Sequence, residues 1–310
     1  MILGGDIGGT KTLLGLSQEG ELLAHRRYAN ADFQSFADVM AAFLADTQTD
    51  PLQVRGGCLA LAGPITDDGL SAALTNLPWR IESEALSKRF GLPALRLAND
   101  FAAAALGAVL SPAAQLASLQ QGEPLPAAPC LVVGAGTGLG MAIVLPRNGN
   151  RQIVAGEGGH VAFAPADARQ MALWAFLQAR HGRVTWERVV SGPGLTTIHE
   201  FLAGVVLTPE QITDSAEANP GSAERRSLEM FFAAYGAFAG DMALTCLARG
   251  GVFIAGGIAA RKLPQMQQSD SFLGAFNAKA EHAAIARRMP VHVATDPLLG
   301  LHGAFHLTRN

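Results

Sequence analysis

Short apolar runs alternate along the chain with longer segments in which apolar residues return every three or four positions. This pattern predicts strands interleaved with helices. Residues 1–4 and 12–17 are apolar runs flanking the glycine-bearing GDIGGTK and predict a β-hairpin. Residues 33–45 carry Phe33, Phe36, Met40 and Phe43 at helical spacing. The run GGCLALA at 56–62 predicts a buried strand closed by a turn at Gly63 and Pro64. A helix over 82–90 stops at Gly91 and Pro93; a strand at 95–98 and an alanine-rich helix at 101–110 follow.

Residues 111–129 hold four prolines among polar residues and are expected to link two lobes. Beyond them the pattern restarts with apolar runs at 130–133 and 141–145 around GAGTGLG, a second predicted hairpin. Helices are expected at 168–181, 185–189, 193–204, 208–215 and 222–248, a strand at 252–255 and a last helix at 297–308. A strand–glycine loop–strand unit therefore recurs after about 130 residues, too long a period for a solenoid and suited to a duplicated domain.

A length of 310 residues agrees with two domains. With 49% hydrophobic and 16% charged residues, the chain has the composition of a folded protein. A net charge of −3, with the arginines scattered, offers no field for nucleic acid or an anionic membrane. The apolar stretches are broken by glycines before they reach bilayer length. Asp6 and the lack of a basic leader segment speak against a signal peptide. Cys58, Cys130 and Cys246 stand far apart with no CxxC, which fits neither a zinc ribbon nor a disulfide framework. The expectation is a soluble, cytoplasmic α/β protein.

The two glycine loops are not the familiar nucleotide motifs. In GDIGGTKT, Thr10 separates Gly9 from Lys11, so the GK-Ser/Thr of a P-loop is broken, and the residues that follow read as a strand. GAGTGLG lacks the GxGxxG spacing and also runs into a strand, without the helix N-terminus a dinucleotide site needs. Both loops still suit a phosphate cradle, because glycines let successive backbone N–H groups converge on an anion. Thr10 and Thr137 add hydroxyls, and Lys11 adds a point charge. Asp6 is placed to hold a hydrated Mg²⁺ near the phosphates. A plain hairpin turn needs one or two glycines, whereas GAGTGLG has four in seven positions.

Asn99 and Asp100 lie between a strand and a helix, where α/β sites form and where phosphoryl transfer to an alcohol requires a carboxylate to receive the hydroxyl proton. An N-cap is the ordinary alternative for Asp100. Glu157 and His160 stand in the frame GEGGH, whose glycines disfavour a helical metal pair and suit a polyol. Glu187 opens a predicted helix, and by itself reads as a first-turn charge.

GDIGGTKT, LAGP, LTNLPW, LANDFAA, GAGTGLG, GEGGH, WERVVSGPGL and FIAGGI occur in this order along nearly the whole chain. Together they resemble bacterial glucokinases of the Escherichia coli type, in the hexokinase/actin-like ATPase superfamily. The resemblance implies an actin-like, ribonuclease-H-like fold of two lobes around a central cleft. The small lobe would be residues 1–110 with the C-terminal helix 297–310, and the large lobe 111–296. It implies ATP and Mg²⁺, glucose as acceptor, glucose 6-phosphate as product, and a homodimer. Asp100 matches the family's base for the sugar 6-hydroxyl. Asn99, Asp100, Glu157, His160 and Glu187 match its sugar ligands. Gly8, Gly9 and Thr10 match the first phosphate loop, Gly136, Thr137 and Gly138 the second, and Gly256 and Gly257 the loop near the adenosine. The sugar would then bridge both lobes.

Two departures bear on the reading. A related repressor/kinase family carries a cysteine-rich zinc loop soon after its Glu-x-x-His, whereas residues 161–180 here contain no Cys, so no structural zinc is expected. Lys11-Thr12 stands where the Escherichia coli-type enzymes commonly carry Asn. A sugar-sensing regulator on the same fold is the rival reading. Such repressors add an N-terminal helix-turn-helix, for which a hairpin starting at residue 2 leaves no room. A kinase for an anionic acceptor is disfavoured by Glu157 and Glu187, which would repel it.

Overall fold

The computed structural model describes residues 1–147, 149–219 and 221–308. The chain forms two compact units: Met1–Ser111 with the segment from Asp296 on, and Pro112–Thr295.

In the first unit, β1 (Ile2–Ile7), β2 (Lys11–Gln18) and β3 (Glu21–Ala29) form an antiparallel meander. Helix α1 (Phe36–Asp46) leads to β4 (Gly56–Leu61), which pairs parallel with β1. A small hairpin, β5 (Ser71–Ala73) and β6 (Arg80–Glu82), precedes α2 (Ser83–Phe90). Strand β7 (Arg96–Asn99), parallel to β4, runs directly into α3 (Asp100–Leu110). The sheet order is β3-β2-β1-β4-β7. β4 is buried along almost its whole length, as expected of a parallel strand covered on both faces.

Helix α1 begins three residues later than its apolar spacing suggests. The Ser35 side chain accepts the Asp38 N–H and fixes the start, while Phe33 stays extended and packs edge-on against Tyr28. Strand β3 leaves little apolar signal in the sequence, because most of its residues are exposed.

The second unit opens with β8 (Leu116–Gln120), followed by the meander β9 (Cys130–Ala135), β10 (Leu139–Arg147) and β11 (Asn150–Gly156). Helices α4 (Ala168–His181), α5 (Gly192–Ala203), α6 (Pro209–Ala218) and α7 (Ala223–Cys246) follow. Then come β12 (Gly251–Ala255), α8 (Gly257–Arg261), α9 (Leu263–Gln268), α10 (Ser271–Asn277), α11 (Ala283–Arg287) and β13 (Val291–Ala294). The sheet order is β11-β10-β9-β12-β13-β8. Residues 116–120 are thus the edge strand of this sheet, antiparallel to β13, and not part of a linker. The prolines that suggested a linker, at 112, 124, 126 and 129, flank this strand and do not interrupt it. The helix expected at 185–189 is a single 3₁₀ turn, Trp186–Arg188.

The strand pattern of the first unit recurs here. β9, β10, β11, β12 and β13 repeat the order and the directions of β1, β2, β3, β4 and β7. This doubled ribonuclease-H-like topology is that of the actin-like ATPase fold. The core of the second unit is aromatic: Phe231, Phe232, Tyr235 and Phe238 of α7 pack with Trp186, Phe272 and Phe276, all buried.

The chain then returns to the first unit as α12 (Leu299–Leu307); residues 309 and 310 lie outside the described residues. Leu301 and Phe305 pack on Leu13 of β2. α12 and α3 approach through glycines: a Cβ on Gly303 would strike the Ala103 carbonyl, and one on Gly107 the Leu299 carbonyl. Among the described residues, no helix is long and apolar enough to cross a membrane.

Candidate functional site

Asp6 lies near the carboxyl end of β1. It is in register with Ala60 of β4, and Ala60 with Ala98 of β7, two residues before Asp100. The parallel pairing therefore gathers both acids at one sheet edge. Burial, and then the nearby Asp100 carboxylate, push the Asp6 pKa up to about 6, while Arg27 opposes the rise. The space for Asp6 is left by Gly300 in the first turn of α12, where a Cβ would stand 2.5 Å from Asp6 Oδ2. No hydrogen bond between side-chain and backbone groups of the described residues ends on the Asp6 carboxylate.

Asp100 is the first residue of α3, and its Oδ1 accepts the Phe101 N–H at 2.8 Å. Burial raises its pKa, and the bonds from backbone N–H groups hold it back. Asn99 is the N-cap, its Oδ1 accepting the Ala102 N–H at 3.0 Å. That bond uses the amide oxygen and leaves the Nδ2 donor out of the cap. The N-cap expected as the plain alternative for Asp100 is thus filled by Asn99.

The first glycine loop turns between β1 and β2, closed by Gly8 N–H to Lys11 O at 3.0 Å. Thr10 and Lys11 are exposed at its tip, and Asn76 lies beside Gly9. Asn30, buried at the end of β3, bonds to this loop. Sequence reasoning missed it, as its loop partners lie up to 22 residues away and no motif marks it.

The second unit builds a corresponding loop between β9 and β10. Gly136 N–H donates to Gly138 O at 2.8 Å, and Thr137 is exposed at the tip. Gly192 N–H, at the start of α5, donates to Gly136 O at 2.8 Å. Below the loop, the buried Tyr235 hydroxyl accepts the Ala135 N–H at 3.1 Å; burial raises the Tyr235 pKa and keeps the phenol neutral. Gly256 follows β12 with φ +91°, and a Cβ there would lie 2.7 Å from the Ala135 carbonyl oxygen. Gly256 thus sits against the base of the second loop, where a non-glycine residue would not fit.

Glu157 caps and His160 ends a 3₁₀ turn, Gly158–His160, with His160 Nε2 3.8 Å from Glu157 Oε2 and both side chains largely exposed. The buried glycines between them pack under β10: a Cβ on Gly159 would strike the Leu139 carbonyl, and one on Gly158 the Met141 sulfur. Trp186 N–H donates to Val161 O at 3.0 Å, and Phe163 N–H to Val184 O at 3.1 Å. This pairing brings Glu187 toward the Glu157–His160 turn. The Glu187 carboxylate itself accepts the Leu139 N–H at 2.9 Å, and the Ser191 hydroxyl donates to Glu187 O at 2.7 Å.

The structure thus brings Asp6, Asn99, Asp100 and the 8–11 loop together in the first unit. In the second it gathers Gly136, Thr137, Gly138, Glu157, His160, Glu187, Gly256 and Gly257. Among the described residues, no three His, Cys, Asp or Glu side chains cluster as a metal site.

The Glucokinase family model matches residues 3–310. A glucokinase of Nostoc punctiforme is 37% identical over 98% of this chain and 97% of the relative. One of Yersinia pestis is 35% identical over 97% of this chain and 94% of the relative. Among solved structures, a glucokinase from an Antarctic psychrotroph superposes with a TM-score of 0.87 and 29% identity, covering 100% of this chain and 98% of that one. With doubled sheets, paired glycine loops and a family match over nearly its full length, the chain belongs to the glucokinase family.

Proposed function

We propose that Asp100 is the base that takes the proton of the glucose 6-hydroxyl in the ATP-dependent phosphorylation a glucokinase carries out. As a member of that family the chain is a phosphotransferase with an alcohol acceptor. The supporting observation is the Asp100 carboxyl at the start of α3, fixed by the Phe101 N–H, with its pKa raised by burial toward the range a general base needs. The freed 6-oxygen attacks the γ-phosphorus, ADP leaves, and the proton rests on Asp100.

Asn99, Glu157, His160 and Glu187 orient the sugar through its hydroxyls, with the carboxylates as acceptors and the imidazole able to serve either way. The loops 8–10 and 136–138 present backbone N–H groups to the phosphates, with Lys11 adding charge, and the Gly256–Gly257 turn lies near the adenosine. Asp6, half-buried beside a second carboxylate and with no hydrogen bond on its oxygens from the described residues, has the chemistry of a water-mediated Mg²⁺ partner, and the ion would supply charge neutralisation to the phosphates. The protein carries no structural zinc, forms a homodimer and works in the cytoplasm. Its three free thiols, Cys58, Cys130 and Cys246, support a reducing compartment.

Asp100→Asn tests the assignment. Glucose affinity is expected to stay within a few-fold and kcat to fall by roughly 10²–10⁴. Retention of more than about a tenth of wild-type kcat would exclude Asp100 as the base.

A further inference from the structure

Asn30 stands where β3 ends beside the start of β2, with Lys11 opposite Ala29 and Thr12 opposite Tyr28. It is 2% exposed. Three of its groups are bonded to the first glycine loop or its flank. The Asn30 N–H donates to Thr10 O at 2.9 Å, and Nδ2 donates to Gly8 O at 2.8 Å. Oδ1 accepts the Thr12 hydroxyl at 2.8 Å, and Thr12 is itself fully buried. The Gly8 carbonyl can only accept, so it fixes Nδ2 toward the loop and leaves Oδ1 to the Thr12 hydroxyl.

A trans peptide directs its N–H opposite to its C=O. Holding the Gly8 and Thr10 carbonyls toward Asn30 therefore turns the Gly9 and Lys11 N–H groups away from it. The loop is also closed by Gly8 N–H to Lys11 O, but its two glycine peptides rotate with little steric penalty, so the bond from Nδ2 to Gly8 O is what holds that carbonyl in place. A buried, saturated polar side chain is costly to place in a core and is stable only when all its partners are met.

We propose that Asn30 is a positioning residue for phosphoryl transfer: it sets the peptide orientations of the 8–11 loop and so the direction in which that loop presents its N–H groups to the nucleotide phosphates. Asn30 touches no substrate and acts through Gly8 and Thr10. This inference rests on the reading of the 8–10 loop as a phosphate cradle.

The role predicts a dependence on phosphate that a purely structural contribution would not show. Affinities of Asn30→Ala and Asn30→Asp are to be measured by titration with AMPPNP, ADP and adenosine, and separately with glucose, on protein whose fold is verified by thermal melting. The expected result is a loss of roughly tenfold or more for AMPPNP, as for a lost buried hydrogen bond. The loss for ADP should be no greater than that for AMPPNP, with adenosine and glucose changed less than twofold. If Asn30 variants do not fold, Thr12→Val removes the hydroxyl that anchors Asn30 Oδ1 and should reproduce the same ranking at smaller size. Equal losses for adenosine and AMPPNP, a matching loss for glucose, or no loss at all would each overturn the proposal. Gly9→Pro, run in parallel, removes the Gly9 N–H and separates the two levels. Unchanged AMPPNP affinity in Gly9→Pro together with Asn30→Ala defeats the cradle reading itself. Weakened AMPPNP in Gly9→Pro with an unaffected Asn30→Ala defeats only the role of Asn30.

Discussion

The Glu187 carboxylate accepts the Leu139 N–H at 2.9 Å, so a residue assigned to the sugar also holds the end of the second glycine loop. Ser191 braces the same residue through its backbone carbonyl, and Gly192 bonds to Gly136 on the far side of the loop. In the proposed reading, the acceptor and donor sites of the second unit share this one side chain. Glu187→Ala should weaken both glucose and AMPPNP, because it removes the sugar ligand and the loop bond together. Glu187→Gln keeps an oxygen for Leu139 and should weaken glucose while sparing AMPPNP. A loss of the charged bond is expected to cost ~1.5–3 kcal/mol, about tenfold or more in affinity. Titrations of both ligands decide it; intact AMPPNP binding in Glu187→Ala would break the link.

Glu157→Ala and His160→Ala should act on sugar affinity and leave the nucleotide alone. Both side chains are largely exposed without ligand, so their removal leaves fold stability nearly unchanged. Glucose affinity should fall by ~1–3 kcal/mol for each. Weakened AMPPNP binding with unchanged glucose binding would move this turn to the nucleotide side.

Asp6 ties stability to pH with a definite sign. Its pKa is raised on folding to about 6 from 3.8, so the ionised form is disfavoured in the folded state. The associated penalty is absent below pH 3.8, grows as pH rises toward 6, and is constant above that. Asp6→Asn should therefore be more stable than the wild type at pH 7–8, by about 2–3 kcal/mol. The difference should vanish near pH 4. The same variant should lose most of its activity, since a cation partner needs the charge. Thermal melts across pH check the first statement and kcat the second; a variant no more stable at pH 8 than at pH 4, relative to wild type, contradicts it.

Gly303→Ala should destabilise the first unit by ~1–3 kcal/mol, because its Cβ meets the Ala103 carbonyl of α3 with no side chain that can yield. Gly274→Ala in α10 is the control, having nothing within 4 Å of the added carbon, and should be neutral or stabilising by up to ~1 kcal/mol. Chemical denaturation of the two variants gives the comparison.

The legible parts of the fold were those in which local signals agree. Both hairpins announce themselves because apolar runs meet glycine clusters, and α3 and α7 because their apolar spacing is long. β8 was hidden because its prolines lie just outside it and read as punctuation, while β3 is an edge strand with little buried surface. At the site, Asp6, Asp100 and the glycine loops could be picked out by type and position. Gly300 and Asn30 could not. Gly300 matters only because α12 returns to Asp6 from the far end of the chain, and Asn30 only because β3 ends beside the 8–11 loop. Such pairings are properties of topology and leave no mark within a sequence window.

The return of α12 also sets a schedule for biosynthesis. Leu13, Leu301 and Phe305 form one apolar cluster, and Gly300 leaves room for the Asp6 carboxylate. A ribosome that has finished residues 1–111 has made a sheet with its α12 face still bare. It must then translate residues 112–295 before that helix exists, roughly 10–40 s at 5–20 residues per second. The second unit is complete in sequence before the first, so the part of the protein begun earliest is the last able to mature. During that interval the exposed face of β1 and β2 is a natural client surface for chaperones.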